Sequence, residues 1–308
     1  MLGRKGCSRT ALEYCKLVLS FWPEGDPYGI MLLLDYYAVR AREYQFFIDF
    51  VSGWFADEFY KAKVERCNTL LLMPNLLYSC ALCKKMLNLS EVPKEAQLTE
   101  DFAKVLSVRD INEVVKLGEN ALLIMAIIMY PSLLKRIINK VKSPGSTSWN
   151  SLLESLKLIK KSSTDSKKYY ARYDWLCADK KADCAKSSLN KIYAIYEEKA
   201  ANCFSSEGVQ NWIRTVTNFL CENLKQGELQ PELVRDSIIS SGACPFYLDR
   251  YSHLNVLDFK DDLTTIPQEQ LNPMIENTLF APQQAGAPQP AAGGPPNPLT
   301  LFFRTLFS

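Results

Sequence analysis

The chain has 308 residues, 36 basic and 34 acidic, for a formal net charge of +2; 47% are hydrophobic and 23% charged. This is ordinary globular usage and excludes disorder along the whole length. The near-balanced charge excludes a global pull toward nucleic acid or acidic lipid, so any electrostatic targeting must be local.

In chain order, residues 11–50 read ALEYCKLVLSFWPEGDPYGIMLLLDYYAVRAREYQFFIDF. Two apolar-rich helical patterns flank the turn WPEGDP, and a third helical pattern follows. Leu12, Cys15, Leu19 and Trp22 make the first stripe. Ala11, Cys15, Val18 and Pro23 sit close to the small, bulky and proline positions that end a tetratricopeptide helix pair. Leu32 and Tyr36 fall on the leucine and tyrosine positions of the next pair, while Gly29 and Leu33 replace its tryptophan and glycine. Short amphipathic helices joined by tight turns cannot bury their apolar faces alone, so the expected fold is all-α, a tetratricopeptide-like helical-repeat solenoid. Arg40, Arg42 and Tyr44 fall at the turn between two helices of this block. An arginine pair exposed there suits an acidic partner, and helix capping is an equal use for it.

Thr69 to Cys83 and Ala121 to Leu134 are the most apolar runs. Both fall short of the roughly 20 residues that a membrane span needs, and Pro74 and Pro131 interrupt them; core helices explain both. The motif ALEYCKLVLSFWP is echoed by NALLIMAIIMYP, a shorter, diverged helix ending in aromatic-proline. Between Lys157 and Lys191 the chain concentrates cations, among them Lys160, Lys161, Lys167, Lys168, Arg172, Lys180, Lys181 and Lys186. Tyr169, Tyr170, Tyr173 and Trp175 are interleaved with them. Cations beside stacking rings suit an RNA contact, and a solvated loop with its aromatics packed inward is the alternative. Two further helical stripes follow. One holds Leu189, Ile192, Tyr193, Tyr196, Ala200 and Cys203; the other holds Val209, Trp212, Ile213, Val216, Phe219, Leu220 and Leu224.

The domain expectation is a helical repeat domain over 1–266, a Pro/Gly/Ala-rich linker over 267–298 and an apolar docking segment over 299–308. The stretch APQQAGAPQPAAGGPPNP cannot pack a core. Leu301, Phe302, Phe303, Leu306 and Phe307 then form a sticky end, expected to dock on the helical domain or on a partner.

Ten cysteines and a lone histidine, His253, bound the chemistry. Cys80 and Cys83 form a CxxC within an apolar helix, where zinc would need two more ligands and no second such pair exists. They are expected to be buried core thiols. A single histidine removes most triad and general-base arrangements, and no glycine-rich phosphate loop occurs. The expectation is therefore a protein that is not an enzyme, with no catalytic residue, metal, cofactor or small-molecule substrate and no membrane partner. Reduced cysteines and no apolar segment before Leu12 point to the cytosol or nucleus.

The block ALEYCKLVLSFWPEGDPYGIMLLLDYYAVRAREYQ resembles the best-preserved part of the transcription factor 25 family, also called the nuclear localised protein family. MPNLLYSCALCKKML, NALLIMAIIMYPSLLKRII and the closing PLTLFFRTLF follow in family order. Fungal members are subunits of the ribosome quality control complex. The resemblance implies a non-catalytic scaffold that binds the stalled large ribosomal subunit near a Listerin-type ubiquitin ligase. Such a subunit supports ubiquitylation of the trapped nascent chain and its extraction by the valosin-containing AAA ATPase. The family name carries a second implication, a nuclear protein-binding transcriptional repressor. Localisation is then cytoplasmic, ribosome-associated, or nuclear. Members usually begin with a long Lys-rich region, and Met1 opens almost inside a helix pair, as in a truncated or reduced form.

Overall fold

The structure, a computed structural model, describes residues 7–21, 26–53, 68–69, 73–88, 92–108, 111–141, 149–150, 152–154, 156, 182–226, 244–245 and 248–260. All lie in the unit Met1–Leu263, and the second unit, Thr264–Ser308, lies outside the described residues. The linker and the docking segment with Leu301, Phe302, Phe303, Leu306 and Phe307 are therefore outside them, as are Trp22 and Pro23 and, from the basic segment, Lys160, Lys161, Lys167, Lys168, Tyr169, Lys180 and Lys181.

The described residues are helical apart from one short parallel ladder, as the apolar periodicity predicts. In order they form α1 (Ser8–Phe21), α2 (Met31–Ala41), α3 (Tyr44–Gly53), α4 (Pro74–Asn88), α5 (Glu95–Ser107), α6 (Ile111–Lys116), α7 (Glu119–Met129), α8 (Pro131–Val141), α9 (Ala182–Lys199) and α10 (Glu207–Gln226). Short 3-10 turns occupy Ala201–Phe204, Leu248–His253 and Val256–Phe259. The ladder pairs β1 (Asn68–Thr69) with β2 (Cys244–Pro245).

The first four helices pack in sequence order: α1 on α2, α2 on α3 and α3 on α4. Beyond them the packing departs from a nearest-neighbour stack. Helix α9 packs on α2, α4 and α8, and α10 packs on α5 and α7. A stacked repeat would confine each unit to its neighbours. The reason lies in α7, ENALLIMAIIM, which has no polar face. Every residue from Glu119 to Met129 is buried, among α4, α5, α8 and α10. A helix apolar on all sides must be enclosed, and each Leu or Ile it buries contributes about 1.5–3 kcal/mol. Pro131 then opens α8, where its missing N–H costs no bond, and the pair bends by 106°. No single helix among the described residues is long and apolar enough to cross a membrane.

The predicted stripes face inward. Leu12, Cys15 and Leu19 of α1 are buried, as are Leu189, Ile192, Tyr193 and Tyr196 of α9 and Val209, Trp212, Ile213, Val216, Phe219 and Leu220 of α10. Several polar side chains inside this core are paired, while Asn75 Oδ1 and Arg214 Nε are buried with no hydrogen-bond partner among the described residues. Trp212 Nε1 donates to Asn120 Oδ1 at 2.8 Å, and Asn120 Nδ2 donates to Asp101 Oδ2 at 3.0 Å, joining α10, α7 and α5. Tyr78 of α4 donates to the Tyr130 carbonyl at 3.1 Å. Each such bond is worth about 1 kcal/mol net, and an orphaned partner would cost more.

The entrance to α2 is held by residues far along the chain. Buried Asp26 accepts from the backbone N–H of Ile30 at 2.7 Å and of Met31 at 3.0 Å, capping the helix through its carboxylate. Tyr251 donates its hydroxyl to the same carboxylate at 3.0 Å. His253 Nε2 meets the Pro27 carbonyl at 2.9 Å, so the lone histidine is an exposed residue bonded to a distant part of the chain. Gly29 explains its own departure from the repeat pattern. It lies in the turn before α2 at φ +65°, and a Cβ there would stand 2.6 Å from Leu254 Cδ1 and 3.2 Å from Phe259 Cζ. A tryptophan cannot occupy this position. We predict that Gly29→Ala lowers stability by about 1–2 kcal/mol in urea unfolding, through the left-handed backbone and the displaced Leu254. An unchanged midpoint would show that residues 248–259 do not close over this turn.

Candidate functional site

Three helices that meet far from one another in sequence share a buried polar node. Asp35 of α2 is fully buried, and its carboxylate accepts from the Tyr36 N–H at 2.7 Å, Asn75 Nδ2 at 3.2 Å and the Ser79 hydroxyl at 3.1 Å. Asn75 and Ser79 are on α4. With Asp35 ionised, Ser79 gives its one proton to the carboxylate, and the 2.8 Å contact with Tyr196 of α9 then runs from the tyrosine hydroxyl to Ser79. Asn75 Nδ2 also donates to the Met31 carbonyl at 3.2 Å. Burial pushes the Asp35 carboxyl up to about 7, against the opposing hydrogen bonds from Tyr36, Asn75 and Ser79.

One turn further along the same three helices lies an open cleft of ≈ 360 Å³. Tyr36, Val39 and Arg40 come from α2, Leu82 and Met86 from α4, and Glu198 and Lys199 from α9; Arg42, Tyr44, Asn202 and Cys203 complete it. The chain turns at Arg42, which takes the left-handed conformation at φ 61° and caps α2 by donating its N–H to the Ala38 and Val39 carbonyls. That turn sets the side chains of Arg40 and Tyr44 on one wall. Arg40 and Arg42 are exposed, and neither guanidinium forms an ion pair among the described residues. Glu198 is answered from outside by Lys140 Nζ at 3.4 Å, and neighbouring Glu197 by Arg136 at 3.0 Å. Burial raises the Tyr44 phenol, with Arg42 opposing, and raises the Cys203 thiol to about 11, with Arg40 opposing.

The structure thus brings Arg40, Arg42 and Tyr44 together at a turn between helices, as expected, and adds Lys199 and the Asp35 node beneath them. Neither addition was anticipated. Asp35 carried a signal, a lone carboxylate on the inward side of MLLLDYYA, but the spacing of Asn75, Ser79 and Tyr196 does not reveal that they converge on it. Cys80 and Cys83 are core thiols. Burial raises Cys80 to about 11 and Cys83 well above its ordinary value. A thiol held protonated is a poor nucleophile and a poor ligand. Among the described residues no group of His, Cys, Asp and Glu is placed to hold a metal ion.

The profile of the family described as the transcriptional repressor TCF25 matches residues 1–282, and the chain belongs to that family. It is 23% identical over 241 residues to the ribosome quality control complex subunit TCF25 of Dictyostelium discoideum, covering 77% of this chain and 28% of that protein. The human protein of the same name is 39% identical over 87 residues, 28% of this chain and 11% of its own length. The ribosome quality control complex subunit 1 of Schizosaccharomyces pombe is 40% identical over 81 residues, 26% of this chain and 11% of its own length. The matched region therefore spans little more than a quarter of the longest-matching of these relatives. No solved structure matches the chain.

The Asp35 node makes stability depend on pH. Its folded value, about 7, lies above the ordinary 3.8, so the folded state holds the proton more tightly than the unfolded chain. The stability contributed by that proton is complete below about pH 4 and is lost as pH rises through about 7. Urea unfolding of wild type and Asp35→Asn across this window should show wild type losing on the order of a few kcal/mol relative to the variant. Parallel pH profiles would remove the buried carboxyl from the account.

Proposed function

We propose that this chain is a non-catalytic scaffold subunit of a ribosome-associated quality control complex. The observation that carries the reading is the match to relatives named as subunits of that complex, strongest per residue in the human and fission-yeast proteins. Placement of the reactive groups supports it: the described core thiols are held protonated by burial, and the Asp35 carboxyl is sealed beneath the cleft. On this reading the chain binds the stalled large ribosomal subunit in the cytoplasm beside a Listerin-type ubiquitin ligase. It supports ubiquitylation of the nascent chain and its extraction by the valosin-containing AAA ATPase, and makes or breaks no bond itself.

The helical frame supplies the surfaces. The sequential packing of α1 to α4 supports a tetratricopeptide-like origin for this part, with the later helices closing over it. Arg40, Arg42 and Tyr44 are the partner-binding residues of the described region. Lys160, Lys161, Lys167, Lys168, Tyr169, Lys180 and Lys181 are assigned to an RNA contact, salt-sensitive through phosphate neutralisation. The 267–298 linker carries Leu301, Phe302, Phe303, Leu306 and Phe307 to a docking site. The family description supports a second reading, a nuclear repressor acting through protein contacts.

Sedimentation of tagged full chain through sucrose gradients at low salt separates the two. The scaffold reading predicts comigration with large ribosomal subunits, enriched when translation is stalled. Absence from those fractions, with the chain retained in nuclei, would establish the repressor reading instead.

A further inference from the structure

We infer that the cleft between α2, α4 and the end of α9 is the docking site for an acidic, extended peptide segment of a protein partner. The inference deepens the scaffold reading and rests on it for the partner's setting. Three observations converge. Arg40 and Arg42 are exposed at the cleft with no ion pair among the described residues, whereas three other cations of the helical domain are paired: Arg136 with Glu197, Lys140 with Glu198, Arg9 with Glu43. An arginine fork that meets no carboxylate among the described residues is suited to two-point recognition of one supplied from outside.

The charge of the cleft is also asymmetric. Its lining holds Arg40, Arg42 and Lys199 against Glu198, and Glu198 already meets Lys140. An incoming carboxylate therefore gains from the field at Arg40 and Arg42, which form no ion pair among the described residues. Beneath the charges Val39, Leu82, Met86 and Cys203 form an apolar floor, with Tyr36 and Tyr44 at its sides. A volume of ≈ 360 Å³ takes one or two side chains, which fits an apolar residue set among acidic ones in a short peptide. RNA fits less well. Tyr36 and Tyr44 are half-buried rather than presented as open stacking faces, and Tyr36 leans on Tyr37 at 5.0 Å between ring centres.

The cleft is also pre-formed. Val39 lies one turn from Asp35, Leu82 one turn from Ser79 and Lys199 one turn from Tyr196, so the three walls are spaced by the hydrogen-bonded node below. A rigid site loses less entropy on binding than one that must be ordered.

The test is fluorescence anisotropy on the full chain with a fluorescein-labelled octapeptide, EDDFELDE, and a labelled octauridylate as the RNA probe. Wild type should bind the peptide saturably and more weakly as salt rises. Arg40→Glu should weaken binding about tenfold or more, and the milder Arg40→Gln with Arg42→Gln should weaken it in the same direction. Lys225→Glu, a charge reversal of the exposed cation near the end of α10, should leave binding within about twofold of wild type. Circular dichroism melts confirm that each variant is folded, and the glutamine pair serves if the reversal is not. Three results would each overturn the inference: no saturable peptide binding, equal losses from Arg40→Glu and Lys225→Glu, or octauridylate that displaces the peptide and is lost with the same substitutions. Peptide binding is read on the isolated chain and ribosome association by sedimentation, so failure of one is distinguishable from failure of the other.

Discussion

The structure turns on one buried carboxyl. Asp35 sits without solvent exposure where α2, α4 and α9 meet, and burying such a group is costly unless hydrogen bonds answer it. Asn75, Ser79 and the Tyr36 N–H answer it directly, and Tyr196 completes the chain through Ser79. These bonds are directional where hydrophobic burial is not. An apolar interface among three helices tolerates sliding; a carboxylate meeting two side chains of α4, one of which also meets α9, does not. The arrangement sets the axial position of each helix, and with it the spacing of the cleft one turn away.

A second long-range contact works with the first. The DPYGI turn before α2 is capped by Asp26 and covered by residues 248–259, through Tyr251, His253 and the close approach of Leu254 to Gly29. Helix α2 is thereby fixed at its entrance by the late part of the domain and along its length by α4 and α9. It carries Arg40 at its far end and Arg42 just beyond, so this wall of the cleft belongs to a helix held at its entrance and along its length. On the proposed scaffold reading, rigidity there favours affinity over adaptability.

Much of this architecture could be read from residue spacing. The apolar stripes of α1, α9 and α10, the buried CxxC and the location of Arg40 and Arg42 at a helix–helix turn follow from local periodicity and composition. What spacing does not encode is which helix meets which. The tetratricopeptide-like pattern of the first block predicts neighbour-to-neighbour stacking, whereas the uniformly apolar α7 compels later helices to enclose it. Gly29 reads as a lapse in a repeat and is instead required by a left-handed turn under Leu254. Tyr196 reads as one more core aromatic, and its hydroxyl is the link between α9 and the Asp35 node.

The central claim is that a rigid helical frame presents the Arg40–Arg42 cleft to an acidic protein segment. Photo-crosslinking from benzoylphenylalanine placed at Tyr44 of the full chain, in particles that sediment with large ribosomal subunits, addresses it most directly. The account predicts adducts whose mapped peptides fall within acidic stretches of one protein of that particle, and their loss on Arg40→Glu. Adducts to RNA, or equal yields from the exposed Tyr14 on α1, would contradict it.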